Sequence, residues 1–405
     1  MKQVRGGVTA AKGFLASGMH VGIRKNKEKK DLALVWSERM CAAAAVYTTN
    51  KVKGQPLIVT REHLSDGKAQ AIIVNSGNAN TCTGEAGIAA AKRMAALVAE
   101  RLPVKPEDVV VASTGVIGQL LDVSVIEAGM DSLVAGLSKA GYLDAREAIM
   151  TTDTVKKELA VQFELKGKTV TIGAMAKGSG MIHPNMATML SFITTDCAID
   201  QGLLQKALSA SVRRSYNRVS VDGDTSTNDM VVILANGMAE NPIITSADDD
   251  YQEFYEALDW LNIQMARAIA RDGEGATKLI ECVVEGASDE EKAEQLAKGV
   301  ICSSLVKTAF FGADANWGRI LCALGYTRND FDPEKVDVSF ESASGYISVC
   351  KNGAPLPFNE EKAKKILSYQ EVTVYVDLHE GDAQATAWGC DLSYEYVRIN
   401  GDYRT

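Results

Sequence analysis

The chain has 405 residues, a length that allows two or three domains or one large layered one. Hydrophobic residues make up 46% and charged residues 23%, which is typical of a soluble globular protein. Its net charge of −9 argues against a nucleic-acid or anionic-membrane surface, because such surfaces need clustered cations. We find no apolar segment of signal-peptide length near the N-terminus and no later run approaching the roughly 18–20 residues that cross a bilayer, so we expect a cytoplasmic protein.

Eight cysteines and four histidines are scattered along the chain without a CxxC or HExxH spacing. We therefore predict free thiols and no metal site. One dense basic run, residues 24–30, is most simply interpreted as a solvated turn.

The first part of the chain interleaves predicted strands with predicted helices. Apolar, β-branched runs predict strands at 32–36, 42–48, 56–60, 71–75, 109–113, 159–165 and 170–174. Apolar residues at helical spacing predict helices at 86–102 and 126–140. The mixture indicates an α/β or α+β fold in which sheets are layered against helices.

The remainder of the chain follows the same pattern. A strand is predicted from 189 to 193, then helices at 203–219 and 251–272 and a strand at 278–284. A charged helix at 287–298 marks the boundary of a C-terminal unit from about 285 to 405. Alternating strands within that unit are predicted at 336–340, 346–350, 372–378 and 383–388.

Three polar loops have compositions that could serve a site or only a turn. N-S-G-N-A-N-T at 75–81 favours Asx turns over ligand binding. S-T-G at 113–115 could present backbone N–H groups to an oxyanion, although an ordinary tight turn is the commoner explanation. D-G-D-T-S-T-N-D at 222–229 lacks the oxygen spacing of a calcium loop, which favours a hydrogen-bonded loop.

Thr188 opens an apolar run after a G-S-G turn at 178–180 and a P-N break at 184–185. The local pattern alone favours a threonine that simply begins a strand. A threonine becomes a nucleophile when a base takes its proton, and the α-amine of an N-terminal threonine, with a reference pKa of about 7.7–8.0, is such a base. Because Thr188 is internal, this chemistry requires cleavage between Ala187 and Thr188, by an N-to-O acyl shift and hydrolysis of the ester.

Seven motifs occur in order along the chain: T-T-N-K at 48–51, N-S-G-N-A-N at 75–80, S-T-G-V-I-G at 113–118, K-G-S-G-M-I-H-P-N-M-A-T-M-L at 177–190, D-G-D-T-S-T-N-D at 222–229, F-G-A-D-A-N-W-G-R-I at 311–320 and N-G-D-Y-R-T at 400–405. On these motifs the chain resembles, over essentially its whole length, the ornithine acetyltransferase family of arginine biosynthesis. Members of that family transfer acetyl from N-acetylornithine to glutamate, and in some cases also acetylate glutamate from acetyl-CoA.

The resemblance implies self-cleavage before the threonine of A-T-M-L, which gives an α chain of 1–187 and a β chain of 188–405. The two chains are implied to stay associated in an α2β2 heterotetramer without a cofactor, metal, nucleic-acid or membrane partner. Thr114 and Gly115 are implied to form the oxyanion hole. Substrate contacts are implied at Thr151, Lys177, Thr188, Glu274, Asn400 and Thr405.

The implied reaction is a ping-pong transfer. Thr188 Oγ attacks the acetyl carbonyl with its own amine as base, ornithine leaves, and the amine of glutamate attacks the acetyl-threonine. Lys177 suits a substrate carboxylate and Glu274 suits the ornithine cation, although which charge meets which group stays open. Two alternatives remain: a self-processing amidase or aminopeptidase, in which water resolves the acyl-enzyme, and a small-molecule binding protein that is never cleaved.

Overall fold

A computed structural model of the chain describes residues 1–183 and 189–402, which form two β-sheets with helices packed against them. The strands are β1 (Lys2–Val4), β2 (Phe14–Met19), β3 (Leu32–Tyr47), β4 (Lys68–Asn78), β5 (Val109–Val116), β6 (Lys157–Leu165), β7 (Lys168–Lys177), β8 (Leu190–Thr195), β9 (Val219–Ser220), β10 (Met230–Ala235), β11 (Leu279–Ala287), β12 (Asp337–Ser342), β13 (Gly345–Lys351), β14 (Ala354–Pro355), β15 (Glu371–Asp377) and β16 (Ala383–Cys390). The α-helices are α1 (Gln55–His63), α2 (Gly84–Ala99), α3 (Val123–Ala135), α4 (Tyr142–Ala148), α5 (Gln201–Arg214), α6 (Asp249–Arg271), α7 (Glu290–Cys302), α8 (Ser304–Phe311), α9 (Trp317–Gly325), α10 (Glu360–Leu367) and α11 (Tyr394–Asp402).

The first sheet has nine strands in the order β1-β6-β7-β8-β10-β3-β4-β5, with β2 paired to β3 off this path. Strand β8 lies in its middle, antiparallel to β7 and parallel to β10. Every residue of β8 is buried, which fits its almost uninterrupted apolar and threonine sequence. The sheet therefore contains strands from both sides of residues 184–188, and β8, the first strand after them, lies at its centre.

The second sheet has seven strands in the order β14-β13-β12-β15-β11-β16-β9. Helix α6 connects the two sheets, because its buried stripe shares one core cluster with residues of β7, β8, β11 and β16. Helix α7 covers the second sheet with one apolar face. This arrangement confirms the predicted layered α/β fold, while the domain boundaries at 187/188 and near 285 stay predictions.

The predicted strand at 56–60 is wrong, because these residues belong to helix α1. Pro56 lies in the first turn of that helix, where its fixed φ is already helical and its missing N–H costs nothing. Thr60 Oγ1 accepts a hydrogen bond from the Val111 N–H at 2.9 Å and donates one to the Val111 carbonyl at 2.7 Å. Packing against β5 therefore outweighs the β-branched character of the run.

All eight cysteines are free thiols, as predicted. Within residues 1–183 and 189–402, no helix is both long enough and apolar enough to cross a bilayer.

Candidate active site

A cavity at one end of the central strands of the first sheet is lined by residues from four separate parts of the chain. It is lined by Thr114, Lys177, Gly180, Met181, Met189, Leu190, Ser226, Asn228 and Asp229. Lys177 ends β7 and is paired in register with Leu190, the first residue of β8. Because Met230, the first residue of β10, pairs with the same Leu190, the loop before β10 reaches the same edge. The structure thus brings together Thr114 and Lys177, two of the predicted site residues.

The predicted cleavage site and nucleophile, Ala187 and Thr188, lie outside the described residues, and so does Thr405. The described chain resumes at Met189, whose carbonyl accepts a hydrogen bond from the Met230 N–H at 3.0 Å. Met189 lines the cavity, so the chain that follows Thr188 starts at the cavity wall.

The Thr114-Gly115 segment ends β5 in a conformation that requires glycine. Gly115 has φ +135°, and a Cβ built on it would lie 2.3 Å from the carbonyl carbon of Gly77 on β4. Asn228 fixes the adjoining backbone, because its Nδ2 donates to the carbonyl of Ser113 at 2.9 Å and to that of Ala79. A segment held so closely suits backbone N–H groups that must stay aimed at one point.

Residues 75–81, which are the end of β4 and the turn after it, support this segment through their amides. Asn78 Oδ1 accepts from the Asn80 N–H at 2.7 Å, and Asn75 Nδ2 donates to the Asn78 carbonyl at 2.9 Å. Asn75 Oδ1 also accepts from the Ser113 hydroxyl at 2.5 Å. The prediction of Asx turns in this loop is therefore confirmed, and the turns support the strand end that carries Thr114.

Lys177 is a buried ammonium group surrounded by carboxylates. Burial lowers its pKa below the ordinary value of a lysine, although the negative charges of Asp153, Asp229 and Glu274 oppose that shift. Only 8% of the residue is exposed, so its charge is poorly screened by water. An anionic substrate group in the cavity would meet a positive charge with little competing hydration.

Thr151 lies beside a buried ionic network. Asp153 accepts from the Thr151 N–H at 3.0 Å, from the Gly178 N–H at 2.7 Å and from Lys157 Nζ at 2.8 Å. Lys157 also contacts Asp272 at the end of α6. Burial would raise the pKa of Asp153, but the charges of Lys177 and Lys157 outweigh it and hold that pKa well below the ordinary value. Thr151 itself does not line the cavity of Thr114 and Lys177; it lines a second, larger one.

Glu274 and Asn400 lie together at the margin of the first cavity. Asn400 Nδ2 donates to Glu274 Oε2 at 2.7 Å, and the Glu274 N–H donates to the Ser179 carbonyl at 3.0 Å. A Cβ built on Gly180, which lines the cavity, would lie 2.3 Å from the carboxyl carbon of Glu274. The absence of a side chain at Gly180 therefore lets the Glu274 carboxylate approach the cavity wall.

Asp229 also lines the first cavity, and sequence reasoning did not single it out. It is 3% exposed, and its Oδ2 is buried without a hydrogen-bond partner among the described residues. Burial raises its pKa well above the ordinary value, although Ser226 and Lys177 oppose the shift. The 222–229 segment is the predicted hydrogen-bonded loop, since Asp222 accepts from the N–H groups of Met181 and Ile182. Nothing in the sequence distinguishes Asp229 from the other acidic residues of that loop.

Comparison with known proteins extends these observations over the whole chain. The profile of the ArgJ family matches residues 15–405. The arginine biosynthesis bifunctional protein ArgJ of Caldanaerobacter subterraneus subsp. tengcongensis is 52% identical over 405 residues, which cover 100% of both chains. The protein of that name from Halalkalibacterium halodurans is 50% identical over 100% of this chain and 98% of its own. In a crystal structure of the protein from Bacillus halodurans, 50% identical and with a TM-score of 0.51, the similarity spans 53% of this chain and 100% of the crystallised chain.

The family profile and the full-length relatives confirm the resemblance carried by the sequence motifs. The chain belongs to the ArgJ family.

Proposed function

We propose that this protein transfers the acetyl group of N-acetylornithine to glutamate in arginine biosynthesis, through an acetyl-Thr188 intermediate. The observation that carries the proposal is the meeting of Thr114 and Lys177 with Met189, the neighbour of Thr188, on one cavity. The names of the relatives, bifunctional proteins of arginine biosynthesis, support it independently.

In the proposed first half-reaction, Thr188 Oγ attacks the acetyl carbonyl while the α-amine of Thr188 takes the hydroxyl proton. The backbone N–H groups of the Thr114-Gly115 segment stabilise the oxyanion. The C–N bond of the amide then breaks, and ornithine leaves with the proton returned by the amine. In the second half-reaction the amine of glutamate attacks the acetyl-threonine ester and releases the Thr188 hydroxyl.

The charges of the site suggest how N-acetylornithine is oriented. Glu274 is 8% exposed and held by Asn400, and we assign it to the ornithine ammonium because it is an anion near the cavity. Lys177 lines the cavity, and we assign its charge to the α-carboxylate. Thr151 and Thr405 complete the proposed substrate contacts.

The reaction requires self-cleavage between Ala187 and Thr188, which we include in the proposal. A chain that begins at Thr188 would hold 218 of the 405 residues, about 54%. The crystallised Bacillus halodurans chain is matched over its whole length by 53% of this chain, a length close to that of the proposed 188–405 fragment. We further propose that the two chains form a cytoplasmic α2β2 assembly, and that acetyl-CoA serves as a second acetyl donor.

Intact-mass spectrometry of the purified protein tests the cleavage. We expect two fragments that meet at residue 188 in the wild type and one uncut species in Thr188→Ala. Thr188→Ser is the matched control, because a serine hydroxyl can perform the same acyl shift and should still give two fragments. A single unbroken chain in wild-type protein that transfers acetyl at full rate would overturn the proposal.

Initial-rate kinetics test the transfer. With both substrates varied, we expect parallel lines, as a ping-pong mechanism requires, and intersecting lines would contradict it. Adding glutamate to the acetylated enzyme should yield N-acetylglutamate rather than free acetate. Acetate as the main product would instead identify an amidase.

A further inference from the structure

The proposed reaction presents the site with an electrostatic conflict. N-acetylornithine carries a cationic side chain, whereas glutamate carries an anionic one, and both must react at the same threonine. Glu274, the carboxylate suited to the ornithine ammonium, is buried and would repel the side-chain carboxylate of glutamate. The acceptor therefore needs a cationic subsite elsewhere, within reach of the acetylated residue.

A second cavity of about 510 Å³ has the required charge. Its lining residues are Ile23, Arg24, Lys25, Asn26, Lys29, Gly77, Val116, Gln119, Thr151 and Thr152, a described set that contains three cations and no acidic side chain. Among the ion pairs formed within residues 1–183 and 189–402, none includes Lys25 or Lys29. In a protein with a net charge of −9, this is a local concentration of positive charge.

The predicted solvated turn at residues 24–30 is confirmed, because residues 25–29 are exposed and contain a turn, but its first residue, Arg24, is held in place. Asp31, fully buried, accepts from the Val21 N–H at 2.7 Å and from the Arg24 N–H at 2.9 Å. The Arg24 guanidinium also donates to the Met150 carbonyl, next to Thr151. Arg24 is thus ordered before any ligand binds, whereas Lys25 and Lys29 are exposed.

This second cavity lies directly beside the Thr114-Gly115 segment. The stem of Arg24 packs on Gly77, where a built Cβ would lie 2.7 Å from Arg24 Cγ. Gly77 in turn is paired with Gly115 in the β4–β5 register and contacts it closely. Thr151, an implied substrate contact, lines the same cavity. One glycine layer therefore separates Arg24 from the Thr114-Gly115 segment.

We infer that the cavity bounded by Arg24, Lys25 and Lys29 is the subsite for the side-chain carboxylate of the acetyl acceptor. This inference rests on the proposed function. It gives the enzyme two side-chain subsites of opposite charge: Glu274 for the ammonium of the departing amino acid, and the cationic cavity for the carboxylate of the incoming one.

The test measures the preference for glutamate over glutamine, an acceptor of similar size whose side chain is neutral. We expect Arg24→Gln to raise the KM for glutamate about tenfold and to remove most of that preference, because a charge pair in a partly desolvated cavity is lost. Acetylation of the enzyme by N-acetylornithine, followed as release of ornithine in a single turnover, should change less than about twofold. Lys25→Gln/Lys29→Gln should act in the same direction, and it removes no described hydrogen bond of either side chain.

Lys27→Gln is the matched control, since Lys27 is an exposed cation of the same loop that does not line the cavity. Arg24→Lys should restore the glutamate preference, which separates loss of charge from a folding defect around Met150. An unchanged glutamate-to-glutamine ratio in Arg24→Gln and in the double lysine variant would overturn the inference. An effect confined to turnover with acetyl-CoA would also overturn it and assign the cavity to phosphate groups. Wild-type protein that fails to acetylate glutamate would refute the proposed function instead.

Discussion

At residue 115 both the backbone conformation and the packing exclude a side chain. Gly115 has φ +135°, and the Cβ of an alanine would lie 2.3 Å from backbone atoms of Gly77. We expect Gly115→Ala to lower kcat by about 100-fold or more, the usual cost of misplacing one oxyanion donor. KM should change little, because the donors act on the transition state more than on the bound substrate. Steady-state kinetics of both half-reactions measure the split.

Gly118→Ala provides the comparison. Gly118 also has a positive φ, +85°, but a Cβ there would meet no atom within 4 Å. It should lose some stability from backbone strain and keep its kcat. Equal losses of kcat in the two variants would contradict a role specific to the Thr114-Gly115 segment.

Asp229 lends itself to a test by pH. Burial raises its pKa in the folded protein, so the protonated form is favoured by folding and contributes stability that is fully present below the unfolded pKa of about 3.9. That contribution is lost as the pH rises through the folded pKa. The asparagine side chain of Asp229→Asn is uncharged at every pH. The free energy of unfolding of this variant, relative to that of the wild type, should therefore rise by more than about 1 kcal/mol from pH 4 to pH 8.

Urea denaturation in a Thr188→Ala background, designed to keep the chain continuous, measures this difference. A variant that instead loses stability relative to the wild type as the pH rises would show that the Asp229 carboxylate is stabilised when ionised.

Among the elements, β6 and the end of α6 are connected by one buried cation. Lys157 opens β6 and bonds Asp153 and Asp272, all with almost no exposed side-chain surface. Lys157→Met removes that cation and leaves two carboxylates buried without it. We expect a loss of about 3–5 kcal/mol in the free energy of unfolding, because an uncompensated buried charge is costly.

The adjacent residue is the control for that experiment. Lys156 pairs with Glu147 on the surface, with side chains 47% and 31% exposed. Lys156→Met should cost only about 0–1 kcal/mol, since water screens the pair. Similar losses for both lysines, by urea denaturation in the same Thr188→Ala background, would contradict the importance of the buried network.

The elements also show what a sequence can predict and where it fails. Buried strands such as β8 and amphipathic helices such as α6 were predictable, because their hydrophobic periodicity reflects local geometry. Helix α1 was not, because a contact with β5, distant in sequence, decided its conformation. The same reason applies to the site. Motifs indicated Thr114 and Lys177, whereas Asp229 and the Arg24 cavity became visible only when folding placed remote loops together.

For the whole molecule, the order of strands determines how the two predicted chains depend on each other. Four neighbouring strands of the first sheet are β7-β8-β10-β3. The two middle strands come from residues after 188, and the two flanking strands come from residues before it. A fragment of residues 1–187 would lack β8 and β10, so its part of the sheet would separate into β1-β6-β7 and β2-β3-β4-β5 with unpaired inner edges.

We therefore expect residues 1–187 expressed alone to be insoluble or unfolded. Co-expression with residues 188–405 should yield a soluble complex that purifies through a tag on either fragment. Both fragments should unfold together on denaturation. The readouts are the soluble fraction, circular dichroism and co-purification, with the naturally cleaved protein as the reference. A soluble 1–187 fragment that unfolds cooperatively by itself would contradict this expectation, because such a fragment would need a complete core that does not include β8 and β10.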